Sequence, residues 1–171
     1  MEVVMYEVKK VANFIIDEFD PEKYGITNLK LNKIVYFCNG WYLARTKKKL
    51  IRNKFEAWKY GPVIRTLYSE LKIYGETNIK NKISFLDYVD GAKKYVGYED
   101  ICDKDRVLIK SVVAYYVSMR APKLVELSHA SGGAWDVAFR KSLESGGEWG
   151  AITDAEIERE FVRQGQFSTL N

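Results

Sequence analysis

The segment from Leu31 to Leu43 (LNKIVYFCNGWYL) constrains the fold more than any other part of the chain. Leu31, Ile34, Val35, Cys38, Trp41 and Tyr42 recur at three- and four-residue spacing and make one broad apolar stripe on a helix. Phe37 and Leu43 widen that stripe toward burial on every side, so the segment predicts a central helix with other elements packed around it. Gly40 stands in its middle, where it costs about 1 kcal/mol relative to Ala. That cost predicts another backbone or a large ring lying close against it.

The flanking sequence supplies the elements that would surround such a helix. Val4, Val8, Val11, Ala12, Ile15 and Phe19 predict an amphipathic first helix, stopped at Asp20-Pro21 because proline disfavours helical geometry in the residue before it. Gly25 prolongs the break, and Thr27 or Asn28 caps the central helix by accepting an orphan backbone N–H. After the charged turn Lys47-Lys48-Lys49, Leu50-Ile51 and Phe55 to Trp58 predict a hairpin or two extended pieces around Arg52-Asn53. Gly61-Pro62 predicts the start of a third helix with Val63, Leu67 and Leu71 on its face and Gly75 as its stop. In the less legible residues 76–102, Ile83, Phe85 and Val89 before Asp90-Gly91 suggest strands about a tight turn, with Tyr95-Val96 returning.

Asp103 to Met119 is again helical. A short helix opens at Pro122 and runs through Ser128, Gly132-Gly133 interrupts it, and another runs from Trp135 to about Leu143. Thr153-x-x-Glu156 is a capping box with Ile157 and Phe161 one turn apart behind it. The expectation is a mainly α fold: a single compact multi-helix domain with a minor β-hairpin element over residues 1–165, and a mobile tail at 166–171.

Hydrophobic residues make up 47% of the chain, enough for a globule rather than a disordered chain. The net charge of +4 is unevenly spread. Residues 144–171 hold two bases against six acids, leaving 25 bases against 17 acids, or +8, in residues 1–143. That basic body suits an acidic protein surface or weak nucleic-acid contact, with Lys47, Lys48 and Lys49 as phosphate contacts, although no arginine-rich run or zinc-finger spacing adds to it. Cys38 and Cys102 form no CxxC pair and read as reduced thiols. With neither a signal-peptide pattern nor a long apolar run, a cytoplasmic location is expected.

Catalytic and metal chemistry find little support. His129 is the single histidine, and its neighbours on a helix diverge by about 100°, so Ser128 is not placed to meet the ring. The plainer reading is a helix-end imidazole that hydrogen-bonds a carbonyl and packs on Trp135. One His and two distant Cys do not make a zinc set, and Gly132-Gly133 and Gly146-Gly147 lack the phosphate-loop arrangement. No cofactor or metal is expected. Trp58-Lys59-Tyr60-Gly61-Pro62 differs in kind. Trp58 suits a core plug and Gly61-Pro62 a rigid corner, while Lys59 and Tyr60 suit a partner surface, where aromatic and basic residues gather.

Lys30-Leu31, Tyr36, Gly40 and Leu43, then Glu56-Ala57-Trp58-x-x-Gly61-Pro62-Val63, then Ser128-His129 with Trp135, occur in an order that resembles the SocA-like or Panacea antitoxin domain, also met as phage-associated GepA-type proteins. Leu124 and Ser128-His129 fit the second signature, whereas Ala134 stands where the family usually has Pro before Trp. The resemblance implies a non-enzymatic module that neutralises a cognate toxin by direct contact, in one variant as an adaptor delivering it to a ClpX-type unfoldase and its protease. Competing readings are a nucleic-acid-binding regulator, a phage protein countering a host defence factor and, more weakly, a hydrolase using His129.

The expected partner face combines the Trp58 to Pro62 corner with the surface side of the central helix, so Lys33, Tyr36, Trp58, Lys59 and Tyr60 are the candidate contacts. Gly40, Gly61, Pro62, His129 and Trp135 are the candidate framework. The acidic helix around Glu156 to Arg163 is the alternative face should both tyrosine rings be buried.

Overall fold

The computed structural model describes residues 5–147 and 149–165. Expectations for Val4 and for the tail 166–171 lie outside the described residues. The fold is mainly α, a single domain with two small antiparallel sheets. The helices are α1 (Val8–Glu18), α2 (Pro21–Tyr24), α3 (Asn28–Thr46), α4 (Arg65–Leu71), α5 (Asp103–Tyr116), α6 (Ala121–Ser128), α7 (Ala134–Ser145) and α8 (Asp154–Gln164). The strands are β1 (Phe55–Trp58), β2 (Gly61–Val63), β3 (Ser84–Leu86), β4 (Lys93–Tyr95) and β5 (Ala151–Ile152).

The central helix is α3, buried continuously from Lys30 to Leu43 and packed on α1, α4, α5, α6, α8 and β2. Thr27 caps it, its hydroxyl accepting from the Lys30 N–H at 3.2 Å. At the other end Lys47 takes the left-handed conformation (φ 61°) that closes many helices. The ring of Phe161 from α8 lies directly against Gly40, so that any Cβ there would run into it. Phe161 also meets Tyr36 and Trp41 edge to face, at 5.6 and 4.8 Å between centroids.

Burial on all sides forces the polar residues of α3 to find partners inside the protein, and its asparagines and lysines find backbone groups. Asn28 Nδ2 donates to the Tyr68 carbonyl at 3.0 Å, and Asn32 Oδ1 accepts from the Ile64 N–H at 3.1 Å. Asn39 Oδ1 accepts from the N–H groups of Leu50 and Ile51 at 3.2 and 3.1 Å. Lys30 Nζ donates to the Tyr24 carbonyl at 2.6 Å. The Tyr36 hydroxyl donates to Glu160 of α8 at 2.8 Å. That carboxylate also accepts from the Ala134 N–H at the start of α7, where the helix dipole favours it.

One local expectation needs correction. Gly61-Pro62 does not start a helix. It lies in β2, which pairs antiparallel with β1 in the register Glu56↔Val63, Ala57↔Pro62 and Trp58↔Gly61. Proline is tolerated there because β2 is an edge of the sheet order β2-β1-β5. Of the two alternatives for Leu50-Ile51 and Phe55 to Trp58, the structure shows two extended pieces about Arg52-Asn53 rather than a hairpin. Ile51 bridges to Tyr6, while β1 uses the Lys59-Tyr60 turn and adds β5 on its other side. The β3–β4 hairpin does turn at Asp90-Gly91, with Gly91 at φ 69°.

The seat of Phe161 gives a sign test. In an open helix Gly→Ala is stabilising by about 1 kcal/mol. Gly40→Ala is instead expected to destabilise by about 1–3 kcal/mol through overpacking, and Phe161→Leu in the same background to recover part of the loss. Urea denaturation of the single and double variants measures both.

Candidate partner-binding site

The β1–β2 turn is built from the core outward. Neither Lys59 nor Tyr60 has positive φ, so the turn lacks the mirror-image geometry usual in two-residue hairpins, and Gly61 takes the strain at φ 107°. A Cβ on Gly61 would stand 2.5 Å from Lys33 Cε and 2.6 Å from Ser128 Oγ. Gly61 therefore answers two demands at once: a conformation that side chains resist, and room for a lysine and a serine beneath the strand.

Lys33 and Tyr36, expected at the surface of the central helix, are both fully buried. This corrects their assignment as direct partner contacts, and its cause is that α3 has no surface side along this stretch. Lys33 Nζ donates to the Pro62 carbonyl at 3.1 Å and forms no ion pair among the described residues. Burial pushes its pKa from 10.5 down to about 7. His129 sits nearby on the end of α6, and burial followed by the Lys33 charge holds its imidazole below the ordinary range.

The two sequence signatures, seventy-odd residues apart, meet here. The Trp135 indole N–H donates to the Trp58 carbonyl at 2.7 Å. His129 stacks on Trp135 with 3.6 Å between centroids and 8° between planes, as expected, but its Nε2 is buried with no hydrogen-bond partner among the described residues. The Ser128 hydroxyl donates to the Val125 carbonyl of its own helix at 2.8 Å and is not directed at the imidazole. That arrangement supplies framework rather than an activated nucleophile.

What this framework presents is an aromatic surface. Tyr60 is 59% exposed at the turn and Lys59 is exposed beside it, its ammonium 5.4 Å from the Tyr60 ring centroid. Trp58 is half-buried. Its indole N–H donates to Glu56 at 2.6 Å, Arg65 lies over its face at 5.4 Å, and Tyr68 packs against it at 5.0 Å. Arg65 is in turn held by both oxygens of Glu56, at 3.0 and 3.2 Å. Between Trp58, Tyr60, Tyr68, Leu29, Val63 and Trp149 runs a mainly apolar groove of about 160 Å³.

Leu29, Tyr68 and Trp149 escape a reading by motif. Trp149 carries a usable signal, being a large aromatic among Gly146, Gly147 and Gly150 in a loop, where bulky rings have little structural reason to sit. Phe139 stacks on both Trp135 and Trp149, so the groove wall is tied to the signature residues.

The basic turn reads differently in space than in sequence. Lys47 pairs with Glu158 at 2.8 Å and Lys49 with Asp154 at 3.3 Å, so acidic α8 folds back on two of the three lysines offered as phosphate contacts. Among the described residues, no group of three or more His, Cys, Asp or Glu is placed to hold a metal ion, and no helix is long and apolar enough to cross a membrane.

The family model for the antitoxin SocA-like Panacea domain matches residues 31–136, a span that takes in both signatures and ends within α7. Antitoxin SocA of Caulobacter vibrioides (strain NA1000 / CB15N) is 34% identical over 134 residues, covering 77% of this chain and 69% of that protein. No solved structure matches the chain.

Lys33 makes stability depend on pH with a definite sign. Its pKa is lower in the folded than in the unfolded state, so the unfolded chain binds more protons above about pH 7 and its contribution to stability rises with pH there. Buried tyrosines and Cys38, raised by burial, oppose the trend near and above their ordinary values. A comparison with Lys33→Met cancels those shared terms. Between pH 7 and 8.5 the wild type is expected to gain on the variant by up to about 1.4 kcal/mol per pH unit. Chemical denaturation across that range reads the slope, and a constant difference would refute it.

Proposed function

Because the chain belongs to the SocA-like Panacea antitoxin family, we propose that it acts as a non-enzymatic antitoxin that neutralises a protein toxin by direct contact. The observation that carries the reading is the Lys59-Tyr60 turn. An exposed aromatic and a cation that forms no ion pair among the described residues project from a hairpin whose base is locked by Gly61, Lys33 and Trp135. A rigid base under exposed Tyr, Trp and Arg side chains is the arrangement in which interface energy concentrates, because little entropy is lost when the partner docks.

In this reading the toxin inserts an apolar side chain into the groove between Trp58, Tyr60 and Trp149 and sets acidic groups near Lys59. The charges speed association more than they deepen it. Trp149 lies outside residues 31–136, so the groove extends beyond the span that the family model matches. Occlusion alone suffices for neutralisation. Where the bound toxin is passed on to a ClpX-type unfoldase, the same face serves as the grip of an adaptor, working in the cytoplasm. Growth rescue that persists in cells lacking the unfoldase separates occlusion from delivery.

The test is to express the neighbouring toxin reading frame with and without this chain and to score growth and co-purification. Tyr60→Ala is expected to weaken capture by about 2 kcal/mol, roughly 30-fold, with the thermal midpoint unchanged. Lys59→Ala is expected to slow association and reduce its salt dependence. Normal capture by both variants, measured by surface binding kinetics, would move the toxin face elsewhere.

A further inference from the structure

The β3–β4 hairpin is clamped at its root and bare along its outer length. Asn13, fully buried in α1, donates Nδ2 to the carbonyls of Ile83 and Val96 at 2.8 and 2.9 Å and accepts from the Ile83 N–H at 2.7 Å, so one side chain grips both strands. The tip is braced as well. Asp87 accepts from the Val89 N–H, Asp90 accepts from the Ala92 N–H, and Lys94 bridges the two carboxylates at 2.6 and 2.8 Å. Between these fixed ends Phe85, Leu86 and Tyr95 expose about half their surface, and Tyr88 and Val89 at the tip expose 93% and 96%. A soluble chain seldom holds such side chains in water on a fixed frame without a use for them.

The ladder defines which backbone groups are unpaired. Val96 N–H donates to the Ile83 carbonyl and Asp87 N–H to the Ala92 carbonyl. With the pairing Phe85↔Lys94, the alternation of an antiparallel pair turns Ile83, Phe85 and Asp87 toward β4. Ser84 and Leu86 therefore direct N–H and C=O away from the hairpin, and no described residue meets them. The two edges differ in protection. β4 carries Lys93 and Lys94, the charges by which natural sheets discourage pairing, whereas Ser84-Phe85-Leu86 contains neither charge nor proline.

We propose that the β3 edge pairs antiparallel with β3 of a second copy of this chain, about a twofold axis at Phe85, joining two hairpins into a four-stranded sheet. The strand is self-complementary in that register. Ser84 faces Leu86 of the second copy and Leu86 faces its Ser84, so the outward-facing groups satisfy one another. Phe85 then meets its own equivalent at a non-hydrogen-bonded position, where side chains approach most closely and aromatic pairs stabilise best. Lys94, the neighbour of Phe85 within the hairpin, is already neutralised by Asp87 and Asp90, so the row in which Phe85 meets its equivalent gathers no unpaired cation. Three residues of strand make a small contact, and the association is correspondingly weak.

Sedimentation of the full chain from about 1 to several hundred micromolar, the range of weak contacts, tests the proposal. The wild type is expected to pass from monomer to dimer as concentration rises. Phe85→Lys and Phe85→Glu, at a half-exposed position, are each expected to keep the thermal midpoint and remain monomeric. An equimolar mixture of the two is expected to associate, because only a register that sets residue 85 against itself brings those opposite charges together. A wild type that stays monomeric throughout, single variants that dimerise as it does, or a mixture that fails to associate would each overturn the proposal. So would a monomeric chain whose Phe85→Lys variant loses toxin capture, which would give the hairpin to the toxin instead.

Discussion

Everything in this fold answers to a helix that has no outside. Once α3 is buried around its whole circumference, its polar side chains must either carry a desolvation cost or become connectors, and they have become connectors. Asn28, Lys30, Asn32, Lys33 and Asn39 each reach a backbone group of another segment. The irregular segments around α3 therefore owe their positions to individual side chains. A leucine at position 32 or 39 would leave backbone N–H groups of Ile64, or of Leu50 and Ile51, buried and unpaired, which costs more than the buried asparagine does.

That arrangement gives the signature residues a common physical meaning. Lys33, Gly61, Pro62, Ser128, His129 and Trp135 are scattered in sequence but surround one small volume under the β1–β2 turn. None of them has to touch a partner to matter to one. Their joint effect is to hold Tyr60 and Lys59 in one position above a buried lysine, and Leu29, Tyr68 and Trp149 stand around the rim.

The sequence disclosed the fold better than the surface. The all-round apolar pattern of α3, the cost of Gly40 and the capping box at Thr153 each had a local physical cause and reappear in the structure as such. The rigid corner at Gly61-Pro62 is also readable, but not its setting, because Gly-Pro serves a helix start and an edge strand equally well. Lys33 and Tyr36 were misplaced for a more general reason. Polar and amphipathic side chains are read as surface until their partners are known, and here the partners are the Pro62 carbonyl and Glu160, 29 and 124 residues away. Charge segregation misled in the same way, since the acidic α8 lies beside lysines at the end of α3.

The contact between Phe161 and Gly40 has a consequence for how the protein comes into being. The central helix is made early and the ring that seals it belongs to α8, more than a hundred residues later. Throughout synthesis of the intervening chain, Tyr36, Phe37 and Trp41 must wait beside an empty seat. Contacts of such long separation close slowly because the loop entropy is lost before they form, and apolar surface exposed meanwhile invites wrong partners. A ribosome that stalls before α8 would thus release a chain with most of its helices and an open core, a ready object for the cell's proteases.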